Sequence, residues 1–157
     1  MGIHLRALEL KIPPPAVMVL IAGAMWRISV VTPALEVPAF IRAAAAVAIA
    51  LAGGGFSLAG IISFRRAKTT VNPMKPETTS SLVCSGIYGV TRNPMYVGLL
   101  FVLVAWAVFL SSAWAWLGPL AFVLYINRFQ IAPEERALSA MFTTGYSAYR
   151  SRVRRWL

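Results

Sequence analysis

The chain has 157 residues; 59% are hydrophobic and only 13% charged, with 15 Lys and Arg against 5 Glu and no Asp. A water-facing domain carries ~25% charged residues, so composition excludes an ordinary soluble surface. The net charge of +10 does not read as nucleic-acid binding either. The basic residues sit between apolar runs, where anionic lipid headgroups would meet them.

In chain order, Arg6 and Lys11 precede the first apolar run, which is predicted to span the membrane over about 15–35. It shows no small-x-small cleavage site and more spans follow, so no signal peptide is expected. Arg27 lies inside it and is expected to snorkel outward. The second predicted span covers about 40–64, with Arg42 among the headgroups at its start. Both runs reach the ~20 residues needed to cross the hydrocarbon core. Gly53, Gly54 and Gly55, with Ala52 and Gly60, are small residues that let another helix approach closely. No strand precedes them, so they are not a nucleotide-binding loop.

A polar loop over 65–93 follows, with Pro73, Pro76 and a Thr/Ser cluster from Thr78 to Ser81. Cys84 reads as a small apolar filler, and one Cys with one His (His4) makes no metal site. The third and fourth predicted spans, about 94–110 and 113–129, are short and separated only by Ser111-Ser112. They should form a tight hairpin. The tail, 130–157, reads as a helical segment at the membrane surface. Pro133 fits a first helical turn, Glu134 and Glu135 sit at the positive end of its dipole, and Leu138, Met141 and Phe142 make an apolar stripe.

Of the 15 basic residues, 13 fall before the first span, in the central loop or at and after the end of the fourth span. The Ser111-Ser112 turn carries none. The positive-inside rule then places loop and both termini in the cytoplasm. The expected fold is all-α: one polytopic membrane domain of about four transmembrane helices plus a C-terminal interfacial segment, in a prokaryotic cell (inner) membrane.

Chemistry is expected outside the spans. Arg92, Asn93, Tyr88 and Tyr96 cluster where the chain re-enters the membrane; on residues alone they also suit an interfacial Arg/Tyr belt with Asn93 as helix cap. Glu134 and Glu135 suit helix-end electrostatics equally well. A carboxylate so close to hydrocarbon nonetheless needs a partner, either an arginine or a bound cation.

The blocks Leu82-Val83-Cys84-Ser85-Gly86-Ile87-Tyr88, Arg92-Asn93-Pro94-Met95-Tyr96-Val97-Gly98, Glu134-Glu135-x-x-Leu138-x-x-x-Phe142 and Tyr146-x-x-Tyr149-x-x-Arg152-Val153 occur in this order. Together they resemble the isoprenylcysteine carboxyl methyltransferase and phospholipid methyltransferase superfamily, from near Thr70 to Val153. The resemblance implies an integral membrane enzyme that uses S-adenosylmethionine, releases S-adenosylhomocysteine and lacks the soluble methyltransferase fold. It implies a cofactor pocket lined by Ser80, Ser81, Leu82, Val83, Tyr88, Asn93, Pro94, Met95 and Tyr96. Glu134, with Glu135 beside it, would hold the cofactor's ammonium. Arg92 and Arg152 match arginines linked to substrate and activity.

Two positions depart from the pattern. Asn93 stands where the family often has His, so no proton shuttle is expected there. Gln130 stands where the carboxyl methyltransferases carry a substrate Arg, and Arg128 is the candidate replacement. A carboxylate acceptor needs only orientation by cations such as Arg92, Arg152 and Arg128. An amine would need a proton acceptor, for which Tyr or Glu135 is available. The first expectation is therefore methylation of a lipophilic or lipidated carboxylate that enters from the bilayer, as in isoprenylcysteine carboxyl methylation. Phosphatidylethanolamine N-methylation and thiol methylation are alternatives within the enzyme class. A non-enzymatic membrane scaffold or carrier is the rival class.

Overall fold

The computed structural model describes residues 9–67 and 82–157. Ser80 and Ser81 of the expected pocket lie outside these residues. Helix α1, Pro14–Val31, starts on a proline in its first turn, where the missing N–H costs nothing. It stops short of the expected end at residue 35. Thr32 is extended because it precedes Pro33, and the residue before a proline is driven out of the helical region. Helix α2, Ala39–Arg66, follows Pro38 and ends on Arg65 and Arg66, cations at the negative end of its dipole.

A 3-10 turn, Gly86–Gly89, leads into α3, Pro94–Leu110. Ser111 then takes a left-handed conformation, φ 52°, and reverses the chain. Ser111 and Leu35 bond twice: Leu35 N–H donates to the Ser111 carbonyl at 2.6 Å, and the Ser111 hydroxyl donates to the Leu35 carbonyl at 2.9 Å. The hairpin turn is thus pinned to the α1–α2 connection. The return starts as a 3-10 turn, Ala113–Trp116, and continues as α4, Leu117–Ile126.

Helix α4 does not end where the fourth span is expected to close. It passes through a π turn, Asn127–Ile131, straight into α5, Ala132–Arg152. The tail is therefore not a separate helix opened by Pro133. The residues before Pro133 are already helical, so its missing N–H falls inside the rod and leaves the Phe129 carbonyl without its i+4 donor. Leu10 N–H fills that vacancy at 3.0 Å. Further on, α5 bends at Thr143, where φ 33° and ψ −105° are not helical. The expected stripe of Leu138, Met141 and Phe142 is not the buried face. Met141 is exposed and the other two are half-buried, whereas Glu135, Tyr146 and Tyr149 point inward.

Among the described residues there is no strand, and the core lies between α1, α3 and α4, around Met25, Leu103, Ala107, Phe122 and Ile126. Val19, Leu20, Leu51 and Leu58 face outward from α1 and α2, an arrangement suited to an apolar medium. Those two helices are long and apolar enough to cross a membrane; α3, with 17 residues, is apolar but shorter. The glycine-rich stretch of α2 acts as expected at two of its positions. A Cβ on Gly53 would lie 2.8 Å from the Gly98 carbonyl oxygen of α3, and one on Gly60 would lie 3.0 Å from Met95. Gly54 and Gly55 face open space.

This contact gives a test. A Cβ on Gly98 would lie 2.6 Å from the Gly53 carbonyl oxygen, a backbone atom that cannot swing away. Gly98→Ala should cost about 1–3 kcal/mol by overpacking. Gly54→Ala and Gly55→Ala should be neutral or stabilising by up to ~1 kcal/mol. Thermal unfolding of the detergent-purified protein checks this, and equal losses at all three positions would contradict the packing.

Candidate functional site

The Pro94 end of α3, the Gly86–Gly89 turn and the first turns of α5 converge at one end of the bundle. The chain after α5 is sewn onto the entry to α3. Arg92 N–H donates to the Arg154 carbonyl at 3.0 Å, and Thr91 pairs with Arg154 in an isolated parallel bridge. The Arg155 carbonyl accepts from Thr91 Oγ1 at 3.2 Å and from Asn93 Nδ2 at 2.9 Å. Asn93 occupies the cap position of α3, but its side chain does not cap the helix. Trp156 Nε1 donates to Asn127 Oδ1 at 3.1 Å and closes the segment against the π turn.

Beneath this strap lies Glu135, a buried acid held by two guanidinium groups. Arg92 Nη2 reaches Oε1 at 2.9 Å; Arg155 grips both oxygens, Nε to Oε1 at 3.1 Å and Nη2 to Oε2 at 2.6 Å. A two-point arginine–carboxylate fork is the strong form of this bond. Arg92 Nη1 also donates to the Arg150 carbonyl at 3.1 Å, while its Nε is buried without a partner among the described residues. Arg92 is thus spent inside the protein.

Glu134 projects about 100° further round the helix and meets a different environment. Its Oε1 accepts from Tyr96 Oη at 2.5 Å and Gln130 Nε2 at 2.8 Å, both neutral donors. No ion pair to Glu134 exists among the described residues. Burial pushes its carboxyl up to about 7, against the two hydrogen bonds, which favour the ionised form. The residue is only half-buried, so solvent reaches the rim of the pocket and tempers that penalty. The site offers a carboxylate, oriented through one oxygen, that has no cation beside it among the described residues.

The remaining expected residues fall as follows. Tyr88 is buried; its carbonyl accepts from Tyr149 Oη at 2.7 Å and its ring meets Phe64 edge-on at 5.2 Å. Val83 is buried and Leu82 half-buried, while Pro94 and Met95 pack under Gly60 of α2. Arg152 is exposed and donates only to the Ala148 carbonyl of its own helix, at 3.2 Å. Arg128 is bound to Glu9 at 2.6 Å, away from the Glu135 cluster. Burial raises the phenols of Tyr88, Tyr149 and Tyr146, the last to about 12, so they donate rather than accept protons near neutrality. Burial likewise raises the Cys84 thiol, in keeping with a filler.

Sequence reasoning missed Arg155 and Thr91, and treated Gln130 only as a departure. Arg150, Arg152, Arg154 and Arg155 are crowded together, and spacing alone does not say which one turns inward. The Gln130–Glu134 pair did carry a signal, since residues four apart meet on a helix.

The sequence profile of the phospholipid methyltransferase family matches residues 41–145, and so covers nearly all of α2, the entry to α3 with Arg92 and Tyr96, Glu134 and Glu135, and most of α5, but not the strap that carries Arg155. The chain belongs to the phospholipid methyltransferase family. This places it within the wider superfamily of membrane methyltransferases that the motif blocks resemble. An uncharacterized protein of Haemophilus influenzae is 49% identical over 63 residues, 40% of this methyltransferase and the whole of that protein. No solved structure matches.

For this methyltransferase the cluster makes a firm prediction. Glu135→Ala strands two guanidinium groups, one of them buried, and should cost roughly 3–5 kcal/mol. Arg152→Ala should change stability by less than about 0.5 kcal/mol. Unfolding midpoints of the two purified variants check the contrast, and a similar loss in both would contradict it.

Proposed function

We propose that this protein is an S-adenosylmethionine-dependent methyltransferase acting on a lipophilic acceptor, with Glu134 holding the positive charge of the cofactor's ammonium. The observation that carries this reading is the Tyr96–Glu134–Gln130 arrangement: an oriented acid at a half-buried site with only neutral partners among the described residues. A cation beside Glu134 would supply what burial withholds, and the surrounding residues therefore fit the cofactor. When bound, S-adenosylmethionine supplies a methyl group activated by a sulfonium sulfur. Tyr96 and Gln130 orient the carboxylate through Oε1 and leave Oε2 available. Arg92, Glu135 and Arg155 keep the C-terminal strap closed over the entry to α3, which restricts water. In this reading all four helical runs cross the bilayer, with the arginine-rich end cytoplasmic. That end holds Arg92, Arg128, Arg136 and the four terminal arginines.

The acceptor we favour is the amine headgroup of a phospholipid, which the family supports. A carboxylate acceptor is the second reading, and one observation favours it. Buried tyrosines and an arginine-locked Glu135 leave no evident proton acceptor besides Glu134 among the described residues. Arg92 and Arg152 no longer argue for a carboxylate, since one is spent internally and the other faces outward. A panel of phospholipid and prenylcysteine acceptors in micelles with radiolabelled cofactor separates the two readings.

The cofactor assignment has its own test in pH. A bound cation favours the ionised acid, so binding releases a proton from Glu134 when the free carboxyl titrates at about 7. Affinity should therefore rise as pH increases from about 6 towards 7.5, and weaken as pH falls. Glu134→Gln should lose at least about tenfold in affinity and flatten that profile. An unchanged affinity and slope, read by equilibrium binding of labelled cofactor, would overturn the assignment.

A further inference from the structure

A second pair of cations lies on α4–α5, away from the cofactor face. Arg128 Nη1 bonds Glu9 Oε1 at 2.6 Å, and Arg136 Nη2 bonds Glu9 Oε2. We propose that Arg128 and Arg136 form a binding site for the phosphate of an anionic phospholipid headgroup, and that Glu9 occupies it as an internal stand-in. The geometry supplies one guanidinium to each oxygen of a single anion, an arrangement that also suits the two non-bridging oxygens of a phosphodiester. Two positive charges face one negative charge, and exposed Lys11 follows two residues after Glu9, so the patch keeps a cationic surplus.

Exposure separates host from guest. The arginine side chains are 43% and 57% exposed, whereas the Glu9 side chain is 12% exposed. The Arg128 guanidinium holds the Glu9 carboxyl below the usual carboxylate range, so Glu9 competes as an anion at neutral pH. Its seat strains the backbone: Leu10 sits at φ 56°, in the left-handed region that a leucine rarely adopts.

Height along the helix selects a lipid as the source of the phosphate. Arg128 lies over the Phe129 ring, 5.4 Å from its centroid, and Phe129 packs on Tyr125 at 4.8 Å. Aromatic rings beside arginines just beyond an apolar helix mark the depth of headgroups. The site is distinct from the proposed cofactor position, because Gln130 and Glu134 bond to each other on another side of the same rod. It does not depend on the methyl-transfer reading.

Native mass spectrometry of the full-length protein in detergent, titrated with phosphatidylglycerol, tests the site. Glu9→Gln frees both arginines and should tighten binding about fivefold; Arg128→Gln with Arg136→Gln should weaken it at least about fivefold. A merely structural latch predicts no tightening in Glu9→Gln, and that result overturns the proposal. Wild-type affinity in the double arginine variant also overturns it, and this arm decides alone if Glu9→Gln does not fold. Displacement of the lipid by an equal concentration of inorganic phosphate would overturn the choice of a lipid as ligand.

Discussion

A carboxylate taken out of water must find positive charge, and this structure depends on how two adjacent acids meet that demand. Glu135 is fully answered by Arg92 and Arg155. Because those arginines come from the entry to α3 and from the chain beyond α5, satisfying one acid joins three distant segments. Glu134, one residue earlier and about 100° away, receives only neutral donors among the described residues. Glu135 ties the site together, and Glu134 is the acid that the proposed cofactor would answer. Their difference lies in what α3 and the tail place opposite each, since the two residues share chemistry and helix.

The π turn at Asn127–Ile131 is the second organising feature. Pro133 removes one helical donor, and the released Phe129 carbonyl receives Leu10 N–H. Trp156 closes on Asn127 from the other side. Both ends of the described chain are therefore attached to the same irregular turn. A regular helix would have satisfied its own carbonyls and offered no such anchor. The same segment contributes Gln130 to Glu134, so the attachment of the termini and the orientation of the acid are mechanically linked.

Much of this was legible in the sequence. The apolar runs located α2 and α3 to within two residues, and the Asn93-Pro94 step marked the start of α3. Glu134 stood out as a scarce acid beside hydrocarbon and Tyr96 as part of the cluster where the chain re-enters the membrane, and the two are bonded. The return path was harder to read. Pro133 looks like a helix start because locally it behaves as one; only the donor arriving from Leu10 lets it sit inside a rod. The role of Arg155 was not legible either. It depends on the Thr91–Arg154 bridge, a pairing between residues more than sixty positions apart, which no local pattern encodes. The glycine stretch shows the same limit: all three glycines permit close approach, but the rotation of α2 decides that only Gly53 uses it among them.

That limit bears on how a basic composition should be read. A surplus of arginine suggests anionic substrates, yet the structure assigns several of these charges before any substrate arrives. Arg92 and Arg155 hold Glu135, and Arg128 and Arg136 hold Glu9. Each of these two acids takes two guanidiniums, so each cluster remains positive, but the surplus differs in kind. At Glu135 the Arg92 side chain is 9% exposed and the Arg155 side chain 35%, and exchanging partners there would strand the Arg92 charge away from water. At Glu9 the arginines are open, and one anion can replace another at little desolvation cost. The outer pair is therefore the one open to exchange of anions, while the inner pair joins the segments around Glu134. On the two proposals together, a methyl donor carrying positive charge and a membrane surface carrying negative charge would be recognised on different sides of one helix.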